Sequence, residues 1–584
     1  MPFSLVNQVP DWVPIWLTPV WLLGMGVTAG LLILLLLWGV GLLVSRIPVI
    51  GRLAEHSLSR NVALAVLSIA GFALLLLVRL MQLFSSAAGG DGTALTAGGL
   101  VLWICAAAGG AVALAAVLFV LTSRRAMAEV PMAIREGVLW PFFILAVSAS
   151  LLSLVITLVV RDPIRMLSDI GRLPFAKTTT ESYSIPAPEG EEDSPPQPLP
   201  LADSVRGDEI ERLSMTADQP LELMPSPDPG PRATSIMRVS PQDSYEWLRG
   251  GALVNPLPEE SIDTLYVINK GTAAAKLNME VSIGPLYPEA SMVVWTALAV
   301  VALFLVYMVH RTLMPRISAV ALVTAKSEIA QPMFLFLAVA GCLAMLIFVW
   351  LAFFTFGEDV KMLKDTGMAL VSVLCIVQAV WAASTSVSEE IDGRTALTVL
   401  SKPLGRRDFI IGKFLGIAWT VTLLFTLIGL AFLIAVAYKP VYESNETYTA
   451  GLTWQTCYLE MSQTVPGLAL VLMKSLVLAA ISVAIATRLS IVANFVISFS
   501  VYVLGHLTPL IVQSSETTFE IVRFVGVLVA VIFPNLELFN VQAATAGGKV
   551  VPFEYLGGAL LYSTLYGAIA MLLALLLFED RDLA

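Results

Sequence analysis

Ser388–Phe414 reads SEEIDGRTALTVLSKPLGRRDFIIGKF. It holds nine charged residues, with Gly393, Pro403, Gly405 and Gly412, between two long apolar runs of a chain that is 57 % hydrophobic and 13 % charged. Polarity that dense between apolar runs marks a connection at a membrane surface. Glu389 and Glu390 carry the first helix past the lipid surface, and Gly393 permits a turn. Arg394–Leu400 can form about two turns of amphipathic helix, with Leu397 and Leu400 at i, i+3, and Pro403 forbids its continuation. Gly405 allows a second turn, Arg406 and Arg407 sit at headgroup level, and Lys413 can snorkel as the next span begins. The stretch predicts a short, stiff peg held at both ends by membrane helices. The charges alone are also what any juxtamembrane loop would carry.

The flanking runs repeat along the chain. Windows of about 20 apolar residues match the hydrocarbon thickness of a bilayer, and they fall near 21–44, 62–84, 99–122, 138–160, 291–310, 332–356, 368–388, 414–437, 466–487, 490–512 and 556–578. Their continuous Leu, Val and Ala content favours helices over barrel strands, which would alternate polar and apolar residues. The fold class expected is an all-α polytopic membrane protein of about eleven transmembrane helices. The first run is too long, and too poor in flanking Lys and Arg, for a cleaved signal peptide.

Lys and Arg set the orientation. With the N-terminus outside, the loops assigned to the cytoplasm carry 16 basic residues, against five (Lys361, Lys364, Lys439, Arg523 and Lys549) in the short outer segments. That bias predicts a multi-pass protein of the plasma (inner) membrane with a cytoplasmic C-terminus. Arg79 and Lys474 lie within apolar runs. Arg79 can snorkel, whereas Lys474 lies deeper and reads either as a functional residue or as a lysine facing a neighbouring helix.

The long outer segment 161–290 carries the whole net charge of −10. Its piece PAPEGEEDSPPQPLP (186–200) is too rich in proline and acid to pack and reads as a linker. Alternating pieces such as SIMRV, TLYVIN and LNMEVSI, separated by turn signals, suggest an inserted small β-rich domain, a sandwich of short strands. Within it YVINKGTAAAKLNMEV reads as two strands joined by a Gly-containing turn. Such a module serves either as a solvated spacer or as a binding surface for a partner.

Catalytic chemistry finds little support. The three His (His56, His310, His506) are far apart in sequence. Of the four Cys, Cys105, Cys342 and Cys375 fall in spans and Cys457 alone in an outer loop, so neither a metal set nor a disulfide framework is expected. The nearest imitations of a phosphate-binding loop have Phe414 or Val550 where Ser or Thr must bind magnesium. No enzyme activity is expected of this chain, and no nucleic-acid partner.

The order Glu389, Glu390, Gly393, Thr395, Leu400, Pro403, Arg406, Gly412, Lys413, with Val399 at the usual Leu position, resembles the coupling-helix segment of type-2 ABC exporter permeases. Two further features are similar to that family. PRISAVALVTAKSEIAQP places Lys326 and Glu328 where the family has an in-plane elbow helix, and FPNLELFNV, broken by Pro534, resembles its outer re-entrant turn. The resemblance covers 315–584 and implies a six-span permease unit with a coupling helix at 389–413. The remainder divides into a four-span module (1–160), the outer domain (161–290) and a fifth span (291–314).

The resemblance further implies a permease subunit of an ATP-driven exporter, with ATP and magnesium on a separate cytoplasmic ABC ATP-binding subunit and none in this chain. It implies a homodimer or heterodimer of permeases among membrane lipids. Glu389, Glu390, Gly393, Arg394 and Thr395 would dock the partner, and Arg406 and Arg407 would contact partner or lipid phosphate. The alternative class is a non-transporting scaffold or sensor that binds a partner through its outer domain.

Overall fold

The computed structural model describes residues 10–46, 62, 64–76, 97–171, 177–187, 196–226, 236–241, 244–249, 256–257, 261–351, 358–390, 405–448, 451–515 and 520–579. The chain divides into two compact units, residues 161–294 and the remainder.

The larger unit is helical. Its first part comprises α1 (Trp12–Ser45), α2 (Leu64–Leu76), α3 (Ala97–Thr122), α4 (Arg124–Glu136) and α5 (Leu139–Ile156). After the smaller unit, which contains the short α6 (Pro163–Asp169), come α7 (Ser291–Leu313), α8 (Pro315–Ile329), α9 (Pro332–Trp350) and α10 (Asp359–Ala383). The rest is α11 (Arg406–Thr447), α12 (Trp454–Ala486), α13 (Ile491–Ser515), α14 (Glu520–Ile532), α15 (Gln542–Ala546) and α16 (Phe553–Glu579). Among the described residues, ten of these helices are long and apolar enough to cross a membrane. The polytopic α-helical class with a β-rich insert is therefore correct. Ten of the eleven expected spans coincide with one of these helices. Of the second, at 62–84, a helix over Leu64–Leu76 is described, and the stretch from 77, with Arg79, lies outside the described residues, as does His56.

Several helices outrun their apolar windows. α11 has 42 residues, about 63 Å at 1.5 Å per residue, roughly twice the hydrocarbon thickness. α12 begins at Trp454, twelve residues before its apolar window, so Cys457 is a buried helical residue and not a loop cysteine. Burial sorts the spans. More than half of the most apolar stretch is buried in α10 with its continuation (56 %), α11 (61 %) and α12 (67 %), against 17 % in α1 and α16. The first three are central and the others peripheral. At the centre Phe432 of α11, fully buried, packs on Gly367 of α10, where no Cβ would fit. The N-terminal spans join the same unit: Trp419 of α11 meets Phe142 of α5 and Tyr307 of α7 edge-on at 6.1 and 5.6 Å between centroids.

Near the C-terminus α14 ends at Ile532 and the chain bends by 57° before Glu537–Ala546. Pro534, with no N–H to continue a ladder, sits at the break. The turn is packed on α13: Leu536 N donates to Gly505 O at 3.0 Å, and a Cβ at Gly505 would collide with Leu536 and the Pro534 carbonyl.

The smaller unit is a pair of four-stranded antiparallel sheets. Their strands are β1 (Lys177–Ile185), β2 (Gln197–Arg206), β3 (Ile210–Ala217), β4 (Leu221–Met224), β5 (Met237–Val239), β6 (Tyr245–Leu248), β7 (Ser261–Asn269) and β8 (Ala275–Ile283). The orders are β1-β8-β3-β6 and β2-β7-β4-β5. Period-2 alternation fills the space between the sheets: in β8, Ala275, Leu277, Met279 and Val281 are buried while Lys276, Asn278 and Glu280 are exposed. Leu265 and Val267 of β7 join the same core from the other sheet.

One detail differs from the sequence reading. The linker expected over 186–200 ends early, because Gln197–Pro200 pair with Val267–Thr264 as part of β2. Proline is admissible there because β2 is an edge strand with a free side. Residues 188–195 lie outside the described residues. The two strands of YVINKGTAAAKLNMEV lie in different sheets, so their turn crosses the sandwich instead of closing a hairpin. Asn269 pins that crossing: its Nδ2 donates to Pro186 O and Ala273 O, and its Oδ1 accepts from Gly271 N.

Candidate functional site

Four segments meet at one end of the helical core: α8, the end of α10, the start of α11 and the end of α16. The sequence reasons are local. α8 starts on Pro315, whose fixed φ suits a first helical position. α11 starts after Gly405, with Phe409 N donating to Gly405 O at 3.1 Å. α10 runs out through a π-helical turn over Ser384–Glu389. Its serine hydroxyls bond the carbonyls of the preceding turn: Ser384 Oγ to Val380 O at 2.8 Å and Ser386 Oγ to Ala382 O at 2.5 Å. Such back-bonding loosens the regular ladder, and π-turns concentrate at functional positions.

Charge holds the segments together. Glu328 on α8 is 1 % exposed. Its carboxylate accepts from Thr385 Oγ1 at 3.1 and 3.2 Å and from Gln331 Nε2 at 3.2 Å, and Gln331 Oε1 accepts from Trp381 Nε1 at 2.6 Å. Lys413 on α11 is 4 % exposed and its Nζ donates to Glu390 Oε1 at 2.5 Å, while lying 5.5 Å over the Phe409 ring. Phe409 stacks on Phe578 of α16, and Arg406 Nη1 donates to Glu579 O at 2.6 Å. A carboxylate or ammonium this deep needs its partner, because an unpaired buried charge is far more costly than a paired one.

Small residues let the helices approach. Gly412 and Gly416 form a Gly-xxx-Gly pair on α11, and a Cβ on either would lie 2.6 Å from a Cβ of α8, Val320 and Thr324 respectively. Small-xxx-small spacing is the usual device for close helix contact in membranes. The packing role of Gly416 was legible in that spacing but is not part of the peg pattern.

The expected site residues divide as follows. Glu328, Glu390, Arg406, Gly412 and Lys413 come together. Arg407 is exposed, and Lys326, also exposed, points away from the Glu328 cluster. Glu389 ends the π-turn, its side chain outside the described residues; Gly393, Arg394, Thr395, Leu400 and Pro403 also lie outside them.

A polar cluster that the sequence reading missed lies one helical layer deeper. Asn494 of α13, fully buried, donates from Nδ2 to Ser384 Oγ and Ser482 Oγ, both at 2.9 Å, and accepts from Ser498 Oγ at 3.1 Å. Ser388 Oγ donates to Leu489 O at 2.9 Å. The π-turn is thus bonded sideways to α12 and α13. A run of four hydroxyls, STSVS, at the end of an apolar span was the available signal.

At its other end α10 is fixed by two further ion pairs. Asp359 pairs with Lys439 at 3.2 Å, and Lys439 Nζ also donates to Val349 O and Leu351 O at the end of α9. Lys364 pairs with Glu460 of α12. Lys474 on α12, 2 % exposed, instead faces α13: its Nζ lies 5.8 Å from the Tyr502 ring and makes no hydrogen bond or ion pair among the described residues.

Residues 344–583 match the family model described as ABC-2 family transporter protein. The match begins within α9 and ends at the C-terminus, under half of the chain. No curated protein matches the chain.

Proposed function

Taking residues 344–583 as the membrane domain of an ABC-2 family transporter, we propose that the chain is the permease subunit of an ATP-driven exporter, worked by a separate ATP-binding subunit that grips the segment 389–413, from the end of α10 through the first turns of α11. The loop faces the cytoplasm, in the orientation favoured by the bias of 16 to five basic residues. Two permease units, as a homodimer or heterodimer, line the path between them. ATP and magnesium belong to the partner.

The observation that carries this reading is the cross-bonding beneath the loop. Glu390 to Lys413 joins the two roots of the loop to each other, and Glu328 to Thr385 ties the first of them to α8. The two roots continue as α10 and α11, two of the three most buried helices. A push on the loop is therefore delivered to the core, not dissipated at the surface. Bistable packing of such elements is how small displacements at one site become rearrangements at another.

The test is co-purification with a candidate ATP-binding subunit, reconstitution in vesicles, and parallel measurement of ATP hydrolysis and transport. Replacing Glu389 and Glu390 together by Ala is expected to leave hydrolysis and membrane insertion in place and to abolish the transport they drive. A double variant that transports as many molecules per ATP as the parent removes the loop from the mechanism.

A further inference from the structure

The N-terminal spans enclose a cavity of about 370 Å³ between α1, α3, α4, α5 and α7, within the range of ligand sites, roughly 300–1,000 Å³. Its walls are hydrocarbon: Leu31, Leu34, Val120, Met127, Phe143 and Phe304 are representative. The few polar atoms on it are already satisfied. Thr28 and Ser150 share a hydrogen bond of 2.8 Å, and Trp38 Nε1 donates to Met127 O at 3.0 Å. Water needs two to four polar partners, so the space does not suit ordered water, a sugar or an ion. Leu32 and Leu35 line it and yet are 63 % and 66 % exposed, so it opens sideways, towards lipid.

One end of the cavity is closed by α4, an amphipathic helix that crosses the ends of its neighbours. Met127 of α4 packs against Gly41 of α1, where a side chain would collide with its sulfur. Met127, Val130 and Ile134 turn towards the cavity. At 100° per residue, Arg124 lies about 60° round the helix from Met127, and Arg135 about 100° from Ile134, on the same flank. Glu129 is taken by Arg125 at 3.0 Å and by Arg311 at 3.9 Å. Arg124, Arg135 and Arg46 at the end of α1 are exposed and make no ion pair among the described residues. An apolar slot open to hydrocarbon thus ends beneath a flank of unpaired guanidinium groups.

We propose that this is a binding site for one anionic phospholipid of the leaflet on which α4 lies, with an acyl chain in the slot and the phosphate on Arg124 and Arg135. Guanidinium groups bind phosphate bidentately, and the apolar slot gives the chain a fixed place that bulk lipid lacks. The site is independent of the loop at 389–413.

The test is native mass spectrometry of the full chain in mild detergent, titrated with phosphatidylglycerol and, separately, phosphatidylcholine. One phosphatidylglycerol is expected to stay bound with a preference over phosphatidylcholine, and inorganic phosphate in excess leaves it in place. The double variant R124A/R135A, altered only at the surface, is expected to reduce that preference by roughly ten- to thirty-fold. Val147→Phe, which fills the slot from α5, is expected to release the lipid, and Val147→Ala, which enlarges it, to retain it. Displacement by inorganic phosphate alone, or equal retention in R124A/R135A and in Val147→Phe, overturns the assignment.

Discussion

Lys413 is an ammonium 4 % exposed whose ion-pair partner is the Glu390 carboxylate. Breaking a buried pair on one side strands the other charge, whereas replacing both members by apolar groups is often neutral. Because Glu390 is partly exposed, Glu390→Gln is expected to cost about 1–3 kcal/mol, and the E390Q/K413M double variant less than Glu390→Gln alone. Thermal unfolding in detergent reads both, and strictly additive losses would show that the two groups do not act as a pair. Lys474 gives the opposite expectation. With no hydrogen bond or ion pair among the described residues, and only the Tyr502 ring and the more distant Glu537 carboxylate to offset its burial, its charge costs stability. Lys474→Met is therefore expected to raise the unfolding midpoint, and a fall would mean that the ammonium is a structural partner after all. Charge pairs of this kind are poorly legible in sequence. Lys326 and Glu328 read as one motif, but helical geometry sends the first outwards and the second into the α10 contact. Asn494 gave no signal, because its partner Ser384 is 110 residues away.

At the scale of elements, the spans were legible because hydrocarbon thickness imposes a length that sequence cannot disguise. Their ends were not, because a helix continues wherever its backbone can, beyond the apolar window. Arg406–Thr447 against an expected 414–437 is the clearest instance, and Cys457 was misplaced for the same reason. β2 was misread because proline argues against a strand only where both edges must bond. The contact between α8 and α11 makes a sharp prediction. Gly416→Leu places a side chain where Thr324 Cβ already stands 2.6 Å from the position of a Cβ. Overpacking of this kind costs about 1–3 kcal/mol, and the Gly416→Leu variant is expected to unfold at lower temperature. Replacing Gly429, whose Cβ position is open, by Ala is the matched control. Equal stability of the two variants would show that α8 does not press on α11.

For the whole molecule, the class was legible in the sequence, and which helices are central was not. Hydropathy is nearly the same for α10 to α12 as for the peripheral spans, so burial had to come from packing. What results is a core gripped at both ends: Glu328, Glu390 and Lys413 at one, Asp359, Lys439, Lys364 and Glu460 at the other. In the proposed mechanism, force applied to the loop enters this frame through α10 and α11 together. That account requires the loop to stand on the side where a nucleotide-driven partner works. The direct measurement is labelling of Arg407→Cys by a membrane-impermeant thiol reagent, in a variant whose Cys105, Cys342, Cys375 and Cys457 are replaced by Ser. Arg407 is exposed and at the root of the loop. The account predicts labelling in inverted vesicles or permeabilised cells and none in intact cells; rapid labelling of intact cells would contradict it.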